Sequence, residues 1–522
     1  MTASPPSGRS SATASPTNQP IWLLTALLLL GAGLRITLLT NDRFHADEAL
    51  FGMLAHLIAT GQDPLLANTS LLVDKPPLFF YTLSLGAAMG WYHEFTLRLP
   101  SLAAGLLSIA LTMRLSHRVW HSRAATGVAG LVMTLSPFSI LFGVAVFSDS
   151  LLLLWLLAAL AAASERRWLL AGVALGCAIA TKQAGLLFLP LLLSLGLIQA
   201  AQAGENLGQL MSKVAPMALG PLAFMLLMIA WDFARGDAPS FWTAGVAFND
   251  PGRLIRYGEL GPRVSGWLFW SRYLLGSNIL TGMLLLGAAA LALHPRSRVD
   301  RRRRSHILLL LSFTLTYMAL VSLIAFPLFD RYLLPLTAIL ALLAGALIAQ
   351  TERAPAWRAT GVALLLVTVR PAAGAALQGD IPIGGDHGAL DGIDLIAAYL
   401  EDQPVGSVVY HQSLGWHLAF YTFDDYLFTY ALADPVDLYE NLLVFGDDPI
   451  PRFLLLSRFD GQQELLAAVD AAGMEADLQL QTYDRRGQAS FWLYRLRPLT
   501  SRLSESERIR YARIRHRIPT PL

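Results

Sequence analysis

The feature that most constrains this chain is a series of long apolar runs. Each run is close to the roughly 20 residues that a helix needs to cross the hydrocarbon core of a bilayer. The composition agrees, since 54% of the 522 residues are hydrophobic and only 15% are charged. The pattern predicts a polytopic α-helical membrane protein with about eleven transmembrane helices. The runs cover residues 21–40, 99–120, 124–143, 148–164, 167–182, 184–202, 214–233, 267–293, 306–326, 332–350 and 357–376.

Basic residues in the short loops predict the orientation, because Lys and Arg in such loops stay cytoplasmic. The arginines near 296–304, those near 114–123 and the pair at 166–167 lie an even number of spans apart, so they share one side. The N-terminus is then cytoplasmic, and the chain beyond the last span is exoplasmic. The single cysteine, Cys177, lies within a span. An exoplasmic part without disulfides favours a bacterial inner membrane.

Composition divides the chain into four parts. Residues 1–20 are rich in Ser, Thr, Ala and Pro and predict a disordered cytoplasmic tail. Residues 21–376 form the transmembrane region. Residues 377–497 predict a small exoplasmic α/β domain, with helices at 391–400 and 462–472 and strands at 407–410, 453–457 and 490–496. Residues 498–522 are a basic tail, which fits a solvated helix or a segment that binds anionic lipid or glycan.

The first exoplasmic loop, residues 41–97, carries charges that the chain otherwise avoids. Asp47 and Glu48 precede an apolar repeat that predicts an amphipathic helix over 49–60, lying on the membrane surface. Lys75 precedes two prolines, which open a second helix over 78–91 because proline fits the first helical turn. Ionisable groups at the edge of the hydrocarbon are costly and tend to mark function. We therefore expect the active site in this loop.

Further motifs continue the pattern along the chain. Ser148-Asp149-Ser150 starts the fourth run, Ala180-Thr181-Lys182 ends the fifth, and Asp330-Arg331-Tyr332 opens the tenth. Together with the first loop, they resemble the protein-mannosyltransferase-like branch of the C-type membrane glycosyltransferases. That branch includes dolichyl-phosphate-mannose protein mannosyltransferases and bacterial lipid A aminoarabinose transferases. The resemblance covers roughly residues 21–350.

The resemblance implies that a sugar is transferred, with inversion, from a polyprenyl-phosphate donor to a hydroxyl of a lipid, glycan or protein. Asp47 would be the base or orienting carboxylate, since an attacking hydroxyl must lose its proton. Lys75 would stabilise the lipid-phosphate leaving group, because its growing charge needs cations. Two further cations, Arg331 and Lys182, could assist at the phosphate. Two further carboxylates, Asp149 and Glu48, could assist on the acceptor side.

No cofactor or metal is expected, and nothing points to nucleic acid as a partner. The chain lacks the Asp-x-Asp pattern of metal-dependent, nucleotide-sugar glycosyltransferases. The acceptor stays open, because Ala49–Gly52 replace the arginine and tyrosine that follow the acids in the lipid A enzymes.

Each of the charged residues also has a structural interpretation. Asp47 could simply cap the helix that follows it, and Glu48 could simply begin that helix. Lys75 and Lys182 could extend along the hydrocarbon to reach water, and Arg331 could be an interfacial anchor.

Two other classes of function compete with the enzyme. A transporter or flippase for a lipid-linked sugar should show internal repeats and helices broken near the midplane. A membrane-anchored glycan-binding protein would not require eleven spans with charges at their outer ends.

Overall fold

The fold comes from a computed structural model that describes residues 21–40, 42–68, 70–88, 93–249, 252–295, 299–351, 354–445 and 450–499. The predicted N-terminal tail and nearly all of the basic C-terminal tail lie outside these residues. The described chain forms a helical region up to Gln378, a linker over residues 379–392, and a region built around a β-sheet from Ile393 to Pro498, here called the sheet domain.

The helical region has the fold class that the hydropathy pattern predicts. Apart from Pro77–Ala87, each apolar helix overlaps one of the predicted runs. Six helices in the described chain are long and apolar enough to cross a membrane: Glu94–Trp120, Gln183–Ala203, Leu207–Ala234, Arg301–Leu323, Asp330–Ala349 and Pro355–Gln378. Six shorter apolar helices accompany them: Ile21–Ile36, Pro77–Ala87, Arg123–Leu135, Ser148–Ser164, Trp168–Thr181 and Asn278–Leu293.

The predicted run 124–143 is not one helix. It divides into Arg123–Leu135 and Pro137–Phe142, because proline cannot donate a backbone hydrogen bond and starts a new helix instead. Arg35 is fully buried beside the break. Its Nη2 donates to the backbone oxygens of Ser139 at 2.8 Å and Met133 at 3.2 Å. A buried guanidinium thus satisfies carbonyls that the break would leave without partners.

The predicted run 267–293 is also divided. Its first part belongs to the helix Tyr257–Ser271, and its second part is the helix Asn278–Leu293. Between them Gly276 has φ of +76°, a conformation that favours glycine, and Ser277 caps the second helix through its hydroxyl. A further helix, Phe241–Asn249, precedes this pair.

Two helices approach each other closely through glycines. Trp168–Thr181 contributes Gly172, and Leu219–Ala234, the C-terminal part of the helix Leu207–Ala234, contributes Gly220. A Cβ built on Gly220 would lie 2.1 Å from the carbonyl carbon and oxygen of Gly172. Only glycine permits this approach of backbones, as is common where membrane helices pack through small residues.

We expect Gly220→Ala to destabilise the helical region by about 1–3 kcal/mol, because the methyl group forces the two backbones apart. Gly282→Ala is the matched control, since a Cβ there would meet nothing within 4 Å and alanine favours the helix. Thermal unfolding in detergent measures both. Equal unfolding temperatures for the two variants would contradict the close approach.

The first loop contains the two predicted helices, observed as Ala46–Ala59 and Pro77–Ala87. The sequence predicts that the first of them lies on the membrane surface, but residues 48–56 are buried. Phe51 packs against Phe79 and Phe80 of the second helix, and Gly52 lies so close to the Phe420 ring of the sheet domain that a Cβ would not fit. The domain therefore covers the loop. The predicted end of the second helix, beyond residue 88, lies outside the described residues.

The sheet domain has five strands in the order β2-β1-β3-β5-β4. β1, β2 and β3 are parallel, whereas β5 runs antiparallel to both β3 and β4. The strands are β1 (Val408–His411), β2 (Phe428–Ala431), β3 (Arg452–Ser457), β4 (Met474–Tyr483) and β5 (Ala489–Pro498). The helices are Ile393–Glu401, Gly415–Tyr421, Pro435–Phe445 and Gln462–Ala471. The three predicted strands and both predicted helices are present, while β2, β4 and two helices were not predicted.

Candidate active site

Asp47 lies in the first turn of the helix Ala46–Ala59 but does not cap it. The cap is His45, whose Nδ1 accepts a hydrogen bond from the Asp47 backbone N–H at 3.1 Å. The alternative that Asp47 is merely an N-cap is therefore wrong. Its carboxylate is 39% exposed and accessible to a substrate.

Arg331 is the partner of that carboxylate. Its Nη1 lies 3.1 Å from Asp47 Oδ2, although 284 positions separate the two residues in the chain. The guanidinium is 14% exposed and lies between two rings, 5.0 Å from the centroid of Phe147 and 4.3 Å from that of Phe329. Arg331 is thus held within the protein, which does not fit the alternative of an interfacial anchor.

Asp149 and Lys182 form a second ion pair. Asp149 begins the helix Ser148–Ser164, and Lys182 follows the end of Trp168–Thr181. Lys182 Nζ lies 2.7 Å from Asp149 Oδ1, and the side chains are 9% and 5% exposed. The ammonium also lies 5.1 Å from the ring centroid of Tyr332. The alternative in which Lys182 extends to water is therefore wrong.

Lys75 lies at the start of the second loop helix and pairs with its neighbour Asp74. Each side chain is 13% exposed, and Lys75 Nζ lies 5.9 Å from the ring centroid of Phe51. Gln183, next to Lys182 in the chain, donates from Nε2 to the Asp74 backbone oxygen at 2.9 Å. This bond ties the Lys75 segment to the segment that carries Lys182.

Glu48 is placed differently from the other predicted residues. Its Oε1 accepts the Val146 backbone N–H at 2.7 Å, and its Oε2 accepts the His45 N–H at 3.0 Å. Burial raises the pKa of this carboxyl above its ordinary value, while the Arg98 charge acts in the opposite direction. Both oxygens accept hydrogen bonds from backbone donors, so the geometry favours the interpretation that Glu48 simply begins the helix over an acceptor-side role.

The remaining predicted residues form one cluster at one end of the helices. Asp149 and Arg331 attract each other electrostatically, and the positive charges of Lys75 and Lys182 repel each other. The cluster joins segments that are far apart in the chain. Sequence reasoning missed Asp74, which directly precedes Lys75, and Tyr332, which directly follows Arg331. Within the described chain no group of three or more His, Cys, Asp or Glu side chains is arranged to hold a metal ion.

A cavity of about 820 Å³ lies between the helical region and the sheet domain. Its lining includes Arg43, Glu94, Asp394, Tyr421 and Asp425, but none of the predicted catalytic or phosphate-binding residues. We therefore place the candidate active site at the charge cluster and not in this cavity.

Comparison with known proteins identifies a family pattern and a fold. Residues 74–231 match the family described as dolichyl-phosphate-mannose-protein mannosyltransferase. This segment contains Lys75, Asp149 and Lys182. A comparison with curated proteins finds no match.

Solved structures of ArnT and of an archaeal oligosaccharyltransferase share the fold. ArnT from Cupriavidus metallidurans in the apo state has a TM-score of 0.62 and 17% identity, over 91% of this chain and 97% of that one. The same protein bound to undecaprenyl phosphate has a TM-score of 0.59 and 16% identity, with the same coverage. The Archaeoglobus fulgidus oligosaccharyltransferase has a TM-score of 0.55 and 13% identity, over 90% of this chain and 74% of that one. The resemblance predicted from the sequence is confirmed: residues 74–231 match the mannosyltransferase family, and the chain shares the fold of ArnT and of the archaeal oligosaccharyltransferase.

Proposed function

We propose that the protein is a membrane glycosyltransferase that moves a sugar from a polyprenyl-phosphate donor to a hydroxyl acceptor. The observation that carries this proposal is the cluster in which an accessible carboxylate, Asp47, pairs with Arg331, and in which two further cations, Lys182 and Lys75, interact with each other. A carboxylate and several cations are the groups that this reaction needs at its two oxygens. The fold shared with an ArnT that binds undecaprenyl phosphate supports a donor of this kind.

The reaction forms one bond and breaks another at the anomeric carbon. The acceptor oxygen attacks that carbon, and its proton passes to Asp47, whose Oδ1 accepts no hydrogen bond from the described residues. The bond from the anomeric carbon to the phosphate oxygen breaks on the opposite face, which inverts the configuration. The polyprenyl phosphate leaves as an anion that Lys75 and Arg331 stabilise. Lys182, held by Asp149, adds positive charge nearby.

The arginines of the short loops support a cytoplasmic N-terminus and an active site on the exoplasmic side of a cell membrane. The sheet domain contacts the first loop, so the two share one side of the bilayer. Transfer then takes place where a lipid-linked sugar has already been turned outward.

The test is transfer of radiolabelled sugar from synthetic polyprenyl-phosphate donors by the purified protein in proteoliposomes. The donor sugar, the acceptor hydroxyl and the chelator are varied in turn. We expect a product of inverted configuration and no loss of rate with chelator. If no donor is consumed and labelled lipid crosses the bilayer instead, the protein is a transporter and the proposal is wrong.

We expect Lys75→Met to lower kcat by about 100-fold, because the leaving phosphate loses a charge-assisted contact that strengthens as the bond breaks. Affinity for polyprenyl phosphate should fall as well. Methionine keeps the length and the apolar stem of lysine. Lys213→Met is the control, because Lys213 is half-exposed and pairs with Glu205 at 2.8 Å, away from the cluster. Similar kcat values for both variants would remove Lys75 from the phosphate site.

A further inference from the structure

The sheet domain holds the first loop three residues before Asp47. Phe44 is fully buried, and both of its backbone polar groups are bonded to side chains of the domain helix Gly415–Tyr421. The Phe44 N–H donates to Tyr421 Oη at 3.0 Å. The His417 Nε2 donates to the Phe44 oxygen at 3.1 Å. The rings of Phe44 and Phe420 pack with centroids 4.9 Å apart.

The two side chains that hold Phe44 are themselves fixed. His417 is buried, and burial lowers its pKa to about 4, so the ring is neutral near pH 7. The Tyr421 hydroxyl donates to Glu94 and therefore accepts from Phe44. Glu94 is in turn held by Arg43, with Arg43 Nη1 and Glu94 Oε2 2.9 Å apart. This network specifies one position for the Phe44 backbone.

The linker to the sheet domain reaches the opposite side of the site. The Gly384 N–H donates to Asp330 Oδ2 at 2.8 Å, next to Arg331 in the chain. Asp386 Oδ1 lies 3.7 Å from His45 Nε2, two residues before Asp47. The C-terminal part of the protein therefore contacts the neighbours of both members of the Asp47–Arg331 pair.

We infer that the sheet domain positions the catalytic carboxylate, with Tyr421 and His417 as positioning residues that act on Asp47 through the Phe44 backbone. This inference rests on the function proposed above, in which Asp47 takes the acceptor proton. The connection is short, since Phe44 precedes the cap residue His45, which bonds the Asp47 N–H directly. A displacement of about 1 Å at a reacting group can cost about 100-fold in rate. The domain is thus part of the enzyme's active machinery rather than a separate binding module.

The first variant that tests this is Tyr421→Phe, which removes the hydroxyl and keeps the ring. We expect kcat to fall about 10- to 100-fold while KM for the donor and affinity for polyprenyl phosphate stay within about twofold. Tyr430→Phe is the matched control, because Tyr430 also donates to a carboxylate, Asp437 Oδ1 at 2.9 Å, but on the exposed strand β2. It should keep the native kcat.

Two substitutions at His417 separate positioning from folding. His417→Gln keeps an N–H donor near the Nε2 position and should retain most of the native kcat. His417→Leu removes the donor and should lower kcat as Tyr421→Phe does. A native kcat in both His417→Leu and Tyr421→Phe would overturn the inference. Loss of kcat in His417→Gln equal to that in His417→Leu would do so too.

Hydrogen exchange of the Phe44 and Asp47 amides gives a readout that does not need activity. We expect faster exchange at these two amides in Tyr421→Phe than in the native protein or in Tyr430→Phe, with the amides of the sheet domain unchanged. Unchanged exchange at Phe44 would show that the domain does not hold the loop. If the native protein transfers no sugar, the proposed function fails, and the exchange result still decides whether the domain fixes this segment.

Discussion

Asp47→Asn should lower kcat by about 10²- to 10⁴-fold, the usual contribution of a general base. Asparagine has nearly the same shape as aspartate, and its oxygen can still accept from Arg331 Nη1, which lies 3.1 Å away in the native protein. It cannot take the proton of the acceptor hydroxyl. Binding of polyprenyl phosphate should therefore be retained while turnover is lost. The measurement is sugar transfer at saturating donor, alongside the dissociation constant of the polyprenyl phosphate.

Asp63→Asn is the matched control for this experiment. Asp63 lies in the same loop, but its carboxylate accepts the backbone N–H groups of Ala67 and Asn68 at 2.8 and 3.0 Å. The Asp63→Asn substitution should lower the free energy of unfolding slightly and leave kcat near the native value. If Asp47→Asn transfers sugar within about threefold of the native rate, far less than the loss of a general base would cause, Asp47 is not the base. Its pair with Arg331 would then be structural.

The sequence predicted the helical part of the fold well because the signal is strong and local. A run of about 20 apolar residues has few alternatives to a membrane helix. Two apolar runs were each predicted as one helix but are divided, near Pro137 and near Gly276. Both divisions occur where the run contains a residue that ends a helix. A hydropathy pattern does not reveal such a residue, because the run remains apolar on both sides of it. In the first case the buried Arg35 donates to carbonyls at the break, and these partners lie about 100 positions away in the chain.

The sheet domain was predicted less completely. β3 was found because all six of its residues are buried and the run is apolar. β2 was missed because all four of its residues are exposed and it lies at the edge of the sheet, so burial imposes no pattern on it. β4 carries a partial alternation of polar and apolar residues from Met474 to Tyr483, which could have revealed it.

For the candidate site, too, the sequence predicted individual residues but not the contacts between residues that are distant in the chain. Residue types and motif order predicted Asp47, Lys75, Asp149, Lys182 and Arg331, and the structure brings all five to one end of the helices. Their pairing could not be predicted, because a partner 284 positions away leaves no trace in a single sequence. The position of the sheet domain against Phe44 is likewise a tertiary contact between distant residues.

Breaking the Asp149–Lys182 ion pair should strongly lower the stability of the helical region. Asp149→Leu leaves the Lys182 ammonium buried beside the cations Arg331 and Lys75. Removal of one partner of a buried pair typically costs about 3–5 kcal/mol. We expect a marked fall in unfolding temperature in detergent. Glu165→Gln is the control, because its partners Arg114 and Arg167 are 55% and 63% exposed and such pairs contribute about 1 kcal/mol or less.

The double variant Asp149→Leu with Lys182→Met separates structure from chemistry at this pair. Two apolar side chains leave no buried charge, and such replacements are often neutral or stabilising, so the unfolding temperature should return close to the native value. Activity should stay at least about tenfold below native, because the phosphate site still lacks the Lys182 charge. If the double variant regains both stability and native kcat, the pair only holds two helix ends together. Phosphate stabilisation then rests on Lys75 and Arg331 alone.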